Sequence, residues 1–444
     1  MIMNYVASAN KRHYDETYKY FKRRLVEASY PGLSEIQSYR FYGQSLLEKA
    51  YFPNVSLVGS EAFAECPSLS DVNIDNVVEI QNSAFERCQS IPHINLSNVT
   101  SIGDKAFSAC VNLSYVELPS SKSVTLGSYA FYRCYSLASI DLENVVSIGS
   151  CCFVECRLLR EVNLDNLTYL GAHAFEECRS IQSITLPSSI EEVANYTFAS
   201  CSSLSLFEGP NVSLVSTCAF DGCSNLTHVD IPVLKSVGSS AFRGCRNLSN
   251  ISFSLCERIG SSAFKLCSNL TYASLDSCQV IDNDAFCYCS KLSSLYAPNL
   301  RYIETLAFGH CTSLTSVVYS QVSYVGNSVF TGCTNLEYCE LNALSRITYG
   351  LFSGCTNLRC LRLDSVYLCS SAAVTTVFTG CNNFESFYVG YSNYTFLRTF
   401  LNSMYDSLSS TLLANGGHIY VPSSFYSNFV NYPGKYDSGC FISW

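Results

Sequence analysis

Charge is scarce in this chain and long apolar runs are missing. Only 14% of its 444 residues are charged, and 27 Lys and Arg face 36 Asp and Glu for a formal net charge of −9. That balance excludes a nucleic-acid backbone or an anionic membrane surface as the main partner. The one basic cluster, Lys11, Arg12, Lys19, Lys22, Arg23 and Arg24, is interleaved with Asp15 and Glu16 in a helical pattern and reads as a solvated helix face. No run of about 18 apolar residues exists, so no helix is expected to span a membrane. Met1 to Asn10 lacks the apolar segment of a secretory signal, so either the general secretory route is not used or a signal has been trimmed. Absent too are Gly-x-Ser-x-Gly, a phosphate loop and a metalloprotease helix, and the six histidines are scattered. No cofactor is expected.

What the chain has is repetition. Fifteen phenylalanines, from Phe63 to Phe378, are each followed three residues later by cysteine. The step between them is 22 residues, except for 24 to Phe131, 23 to Phe198 and 26 to Phe378. Phe41 lies one step before Phe63 but carries Gln44 in place of the cysteine, the mark of an atypical end repeat. Within one unit Phe85, Cys88 and Ile91 recur every third residue, which suits a helical or 3₁₀ turn, whereas Ile94-x-Leu96 alternates as a strand does. The strand is often closed by proline, as at Pro119, Pro187 and Pro232, and the return carries Ile-Gly or Val-Gly, as at Gly103, Gly149 and Gly326. A single unit cannot bury its apolar side, but stacked units enclose a continuous core of Phe, Leu, Ile and Cys. The fold expected is therefore a repeat solenoid of about sixteen coils, with short parallel strands forming one sheet and short helical or 3₁₀ turns opposite.

The unit Ala-Phe-x-x-Cys-x-x-Leu-x-x-Val-x-Leu followed by Ile-Gly resembles the BspA-like leucine-rich repeat family. The match runs from about Ser34 to Val389. The resemblance implies a leucine-rich repeat fold, and members of the family occur among bacterial surface adhesins, protozoan surface proteins and bacteriophage-encoded proteins. Three regions are expected: residues 1–33 as a helical cap or docking segment, 34–389 as the solenoid, and 390–444 as a C-terminal cap. Asn4 to Ser29 reads as an amphipathic helix and Tyr394 to Leu413 as another, followed by a break at Gly416-Gly417 and a last strand at Ile419 to Pro422.

Fifteen of the 25 cysteines occupy the repeat position and read as buried free thiols, because stacked neighbours would hold their Cβ vectors parallel and oppose a disulfide ladder. Cys287-x-Cys289 near Cys278 has no second pair to complete a thiolate metal site, so no metal is expected. The recurrent Asn-x-Ser/Thr, as at Asn112, Asn166 and Asn225, follows from the repeat itself.

If the residues nine and eleven after each Phe point inward, those eight and ten after it point outward. The outward candidates for binding are Tyr115, Glu117, Asp141, Glu161, Asp230, Tyr272, Tyr296 and Tyr338. Tyrosines beside acids suit a protein or glycan better than an anion. The leading expectation is a non-enzymatic recognition or adhesion protein on a cell or virion surface, binding a host protein or glycan. The alternative is a structural part of a virion or other large particle, tail- or fibre-associated and docked through the N-terminal helix. Least favoured is a repeat-bearing hydrolase, which would need paired carboxylates such as Glu117 and Asp141.

Overall fold

The computed structural model describes residues 25–369, 376–390, 394–430 and 438–444. The chain divides into two compact units, Met1–Ile190 and Glu191–Trp444. Both are stacks of parallel-strand coils, and the repeat solenoid is the fold.

Where one sheet was expected, each unit carries two ladders. In unit 1 the longer strands pair in two groups: Glu27–Ser29, Lys49–Tyr51 and Asp71–Asn73, then His93–Asn95, Tyr115–Glu117 and Ser139–Ile140. A second ladder of seven strands runs from Glu35–Ile36 to Tyr169–Leu170 and contains the Ile or Val that precedes the return glycine. Unit 2 repeats the plan. Its long strands include Asn250–Ser252, Tyr272–Ser274 and Ser294–Tyr296, and a six-stranded sheet from Ser316–Val318 to Phe441–Ser443. Its short strands run from Glu192–Val193 to Tyr324–Val325, with a further pair at Arg346–Ile347 and Leu368–Cys369. Most strands of the short ladders have only two residues, too few for alternation to register in the sequence, where the return segment looks like a bend.

The segment around each Phe is a chain of turns, not the helix or 3₁₀ turn expected. In the coil of Phe85, Ser83 and Arg87 have φ of 54° and 60°. Left-handed residues cannot extend a right-handed helix, and here they send every second amide to the next coil. Ser83, Phe85 and Arg87 donate to the carbonyls of Asp104, Ala106 and Ser108 at 2.7–2.8 Å, while Ala84, Glu86 and Cys88 donate back to Gln81, Ser83 and Phe85 at 3.1–3.3 Å. The backbone is thereby satisfied without a helix.

The core is a column of rings. Phe85 and Phe107 stack at 5.2 Å and 2°, and in unit 2 Phe242 and Phe264 stack at 5.3 Å and 3°. The repeat cysteine serves this column. The Cys88 thiol donates to the Phe63 carbonyl at 3.0 Å and Cys289 to that of Phe264 at 3.1 Å, so each S–H covers a buried acceptor one coil back. These thiols are free. The return glycine is required by close approach: a Cβ on Gly326 would lie 2.3 Å from the Thr305 backbone nitrogen. Asparagine recurs for a similar reason. Asn166 donates to the Glu143 carbonyl at 2.9 Å, and Asn225, Asn247 and Asn269 form an amide ladder with bonds of 3.2 and 3.4 Å.

At the N-terminus, the helix expected between Asn4 and Ser29 falls up to residue 24 outside the described residues. Its far end is not helical, since Glu27–Ser29 is a strand paired with Lys49–Tyr51. At the other end, helix α1 (Tyr394–Ser410) buries Leu397, Phe400, Leu401, Met404 and Leu408. Gly416 then turns the chain at φ 71°. The last strand foreseen near Ile419 spans His418–Val421 and pairs with Ser386–Val389. After helix α2 (Ser423–Val430), a further strand, Phe441–Ser443, lies beside it.

Candidate recognition surfaces

Strand alternation places the outward positions as expected. Val116 and Ala273 are buried, while Tyr115, Glu117 and Tyr272 are exposed. In unit 1, Tyr115 stands between His93 and Ser139 on the neighbouring strands, and Glu117 stands beside Asn95. Asp141 is exposed, but its carboxylate accepts the Glu143 amide at 3.0 Å. Glu161 is exposed in a coil whose corresponding segment forms no strand. Glu117 and Asp141 occupy equivalent positions on successive coils. A general acid needs an environment that disfavours its charged form, and both carboxylates are exposed.

In unit 2, Asp230 lies beside Glu208. Tyr272 is flanked by Asn250 and Ser294, and Tyr296 by Ser274, so the two tyrosines sit diagonally on adjacent strands. They are 41% and 51% exposed. Tyr338 differs from them. It is half-buried, its hydroxyl donates to the Glu340 carboxylate, and burial together with that carboxylate pushes its ionisation upward. Of the eight candidates, Tyr115 and Glu117 share one strand with Asp141 on the next coil, and Tyr272 and Tyr296 adjoin. Glu161, Asp230 and Tyr338 join neither group.

Three further groups were not read from the sequence. At the C-terminal end of unit 2, Tyr388 and Tyr420 stack at 4.2 Å and 11°, Trp444 meets Tyr388 edge-on at 6.1 Å, and the Arg362 guanidinium lies 4.4 Å over the Trp444 ring. Trp444 is the sole tryptophan, which is a signal, but its neighbours come from three separate strands. On the short-strand ladder Tyr302 and Tyr324 lie 6.5 Å apart and are half-exposed. Tyrosine before Ile or Val at the return marks them. On the turn ridge of unit 1, Arg133 covers Tyr132 and Arg157 covers Tyr135, each at 4.9 Å, and both arginines pair with Glu155. The same ridge carries a shallow depression of about 290 Å³ lined by Gly43, Ser45, Glu65, Pro67, Arg87 and Gln89.

Among the described residues no group of three His, Cys, Asp or Glu side chains is placed to hold a metal ion, and no helix is long and apolar enough to cross a membrane. The sequence model of the BspA type leucine rich repeat region, in six copies, matches residues 15–125, 124–216, 207–315 and 279–410. No curated protein matches the sequence. Among solved structures, a leucine-rich repeat protein from Bacteroides ovatus is 25% identical, with 82% of this chain and 86% of that one covered and a TM-score of 0.45. A leucine rich cell surface protein from Faecalibacterium prausnitzii is 23% identical over 63% of this chain and 81% of that one, with a TM-score of 0.40.

Proposed function

The chain belongs to the BspA-type leucine-rich repeat family, whose members are typically protein-binding or surface proteins without enzymatic activity, and on that premise we propose that it is a non-enzymatic recognition or adhesion protein. It meets a partner macromolecule, protein or glycan, through the outward face of its long strands. The observation that carries this reading is the pair Tyr272 and Tyr296, about half exposed on adjacent strands of one parallel ladder. Exposed aromatic rings on a regular backbone offer contact area at low entropic cost, because the strands are already ordered and each ring has few torsions to immobilise.

The resemblance of the repeat to surface adhesins supports a place on the exterior of a cell or particle. Antibody raised against the repeats is applied to intact source cells and to the particles they release. Labelling of intact exteriors is the expected result. Signal only after lysis overturns the surface assignment and leaves an intracellular scaffold. Fixed stoichiometry in purified particles replaces adhesion with a structural role.

A further inference from the structure

The outward face of unit 2 is not uniform in charge. Ten residues after the repeat Phe, successive coils carry Glu208, Asp230, Ser252, Ser274, Tyr296, Val318 and Glu340. The middle is uncharged, Glu208 and Asp230 stand at one end, and at the other Glu340 lies beside Arg362 of the next coil. At the other outward position the middle coils carry Asn250, Tyr272, Ser294 and Ser316. Tyr272 and Tyr296 are thus set among Ser and Asn, with Val318, 57% exposed, on the following coil. Asp276, which accepts a bond from the Ser274 hydroxyl at 3.1 Å, adds another negative charge at the rim.

We propose that this patch binds a neutral oligosaccharide laid across Tyr272 and Tyr296. The proposal rests on the recognition reading above and names the ligand class. One strand across and two residues along, the two Cα atoms stand about 8 Å apart, so a single saccharide chain spans both. A tyrosine face is electron-rich and meets the positively polarised C–H groups of a sugar, while serine and asparagine side chains between the rings exchange hydrogen bonds with its hydroxyls and fix its direction. Glu208 and Asp230 at one end and Asp276 at the rim repel sulfated, sialylated or uronic chains. A protein partner fits less well. A stable protein interface takes about 800 Å² from each side and a buried anchor in a pocket, whereas two rings and one valine on a flat sheet supply neither. The Tyr388, Tyr420 and Trp444 cluster is a poorer platform because its ring faces are already covered by one another and by Arg362.

The test is calorimetric titration of the full chain with hexasaccharides of β-1,4-glucan, β-1,4-xylan and mannan, and with a heparin hexasaccharide. Binding of at least one neutral probe is expected, with heparin silent. Tyr272→Ala and Tyr296→Ala should each weaken it at least tenfold, Tyr296→Phe no more than threefold, and Tyr169→Ala, an equally exposed ring on the short ladder of unit 1, not at all. Unchanged thermal unfolding verifies that each variant is folded. The proposal is overturned if no neutral probe binds, if binding survives both alanines, or if heparin binds better. A protein ligand whose capture is lost in both alanine variants, with every saccharide silent, also overturns it while leaving the recognition reading intact.

Discussion

The turn ridges of the two units share one backbone and differ in what they place on it. Two residues after the repeat Phe, unit 1 carries Glu65, Arg87, Ala109, Arg133, Glu155 and Glu177, all with φ between 58° and 62°. Unit 2 at the same position carries glycine in five coils, Gly222, Gly244, Gly332, Gly354 and Gly380, with φ of 70–81°, and Ser200, Leu266, Tyr288 and His310 in the other four, with φ of 59–67°. The left-handed conformation is imposed by the bonds each turn makes to the next coil, not by the residue that adopts it. Unit 1 accepts the conformational cost and gains a ridge of paired charges, such as Arg133 with Glu155 at 2.9 Å and Arg179 with Glu177 at 2.8 Å. Unit 2 leaves five of these positions bare, and it exposes Tyr272 and Tyr296 on its strands and Tyr288 on its ridge. Side-chain chemistry is thus free to vary on a backbone that does not.

Removing a ring from the core of each unit tests how far each depends on its own column. Phe131→Ala and Phe264→Ala should each cost about 3–5 kcal/mol, measured by urea unfolding. Hydrogen exchange should localise the loss to the mutated coil and its neighbours. Equal protection loss across both units would show the coupling to be global instead.

Alkali should act on both units alike. Burial raises the Cys267 and Cys333 thiols to about 12 from an ordinary value of 9.0, and raises Cys88 and Cys110 in unit 1 as well. Above pH 9 the unfolded chain releases protons that the folded chain retains. Stability is therefore complete below pH 9 and falls as pH climbs toward 12, by about 1.4 kcal/mol per thiol per pH unit. A urea midpoint that does not move between pH 8 and 10.5 contradicts this account.

Exchanging the ridge residues should break the symmetry. Gly354→Ala, at φ 77°, should cost about 1–2 kcal/mol from the left-handed backbone. Ala109→Gly, at φ 58°, should stabilise by less than about 1 kcal/mol, because the gain is offset by a more flexible unfolded chain. Opposite shifts of the urea midpoint are the expected readout. The smallest effect belongs to the ion pairs. Glu155→Gln should cost under about 1 kcal/mol, and added salt should shrink the difference.

The Phe-x-x-Cys interval announced the coils because a stacked core must repeat its largest ring and its smallest filler in phase. The outward columns followed from strand alternation, and Tyr115, Glu117 and Tyr272 stand where it puts them. The left-handed positions were silent because Glu65 and Arg87 carry no backbone signature. The short ladder was silent because most of its strands are two residues long. The bond from Tyr338 to Glu340 depends on rotamers, and the Arg362 to Trp444 contact joins residues far apart in the chain, so neither leaves a local pattern.

The irregular steps of the repeat have a consequence for how such a chain changes over generations. The longer step before Phe131 contains Pro119 to Lys122, and pairing resumes at Val124–Leu126, regular against Ser101–Ile102 of the coil before and with one shift against Val145–Ile148 of the coil after. Extra residues are absorbed between ladders, and the rings stay in step, with Phe107 and Phe131 stacked at 5.4 Å. A gene encoding this protein can therefore gain or lose a whole coil by unequal recombination, or lengthen a loop by a few codons, and still specify a folded product. The length of the array is inherited as a copy number, while the chemistry at each outward position evolves by single substitutions.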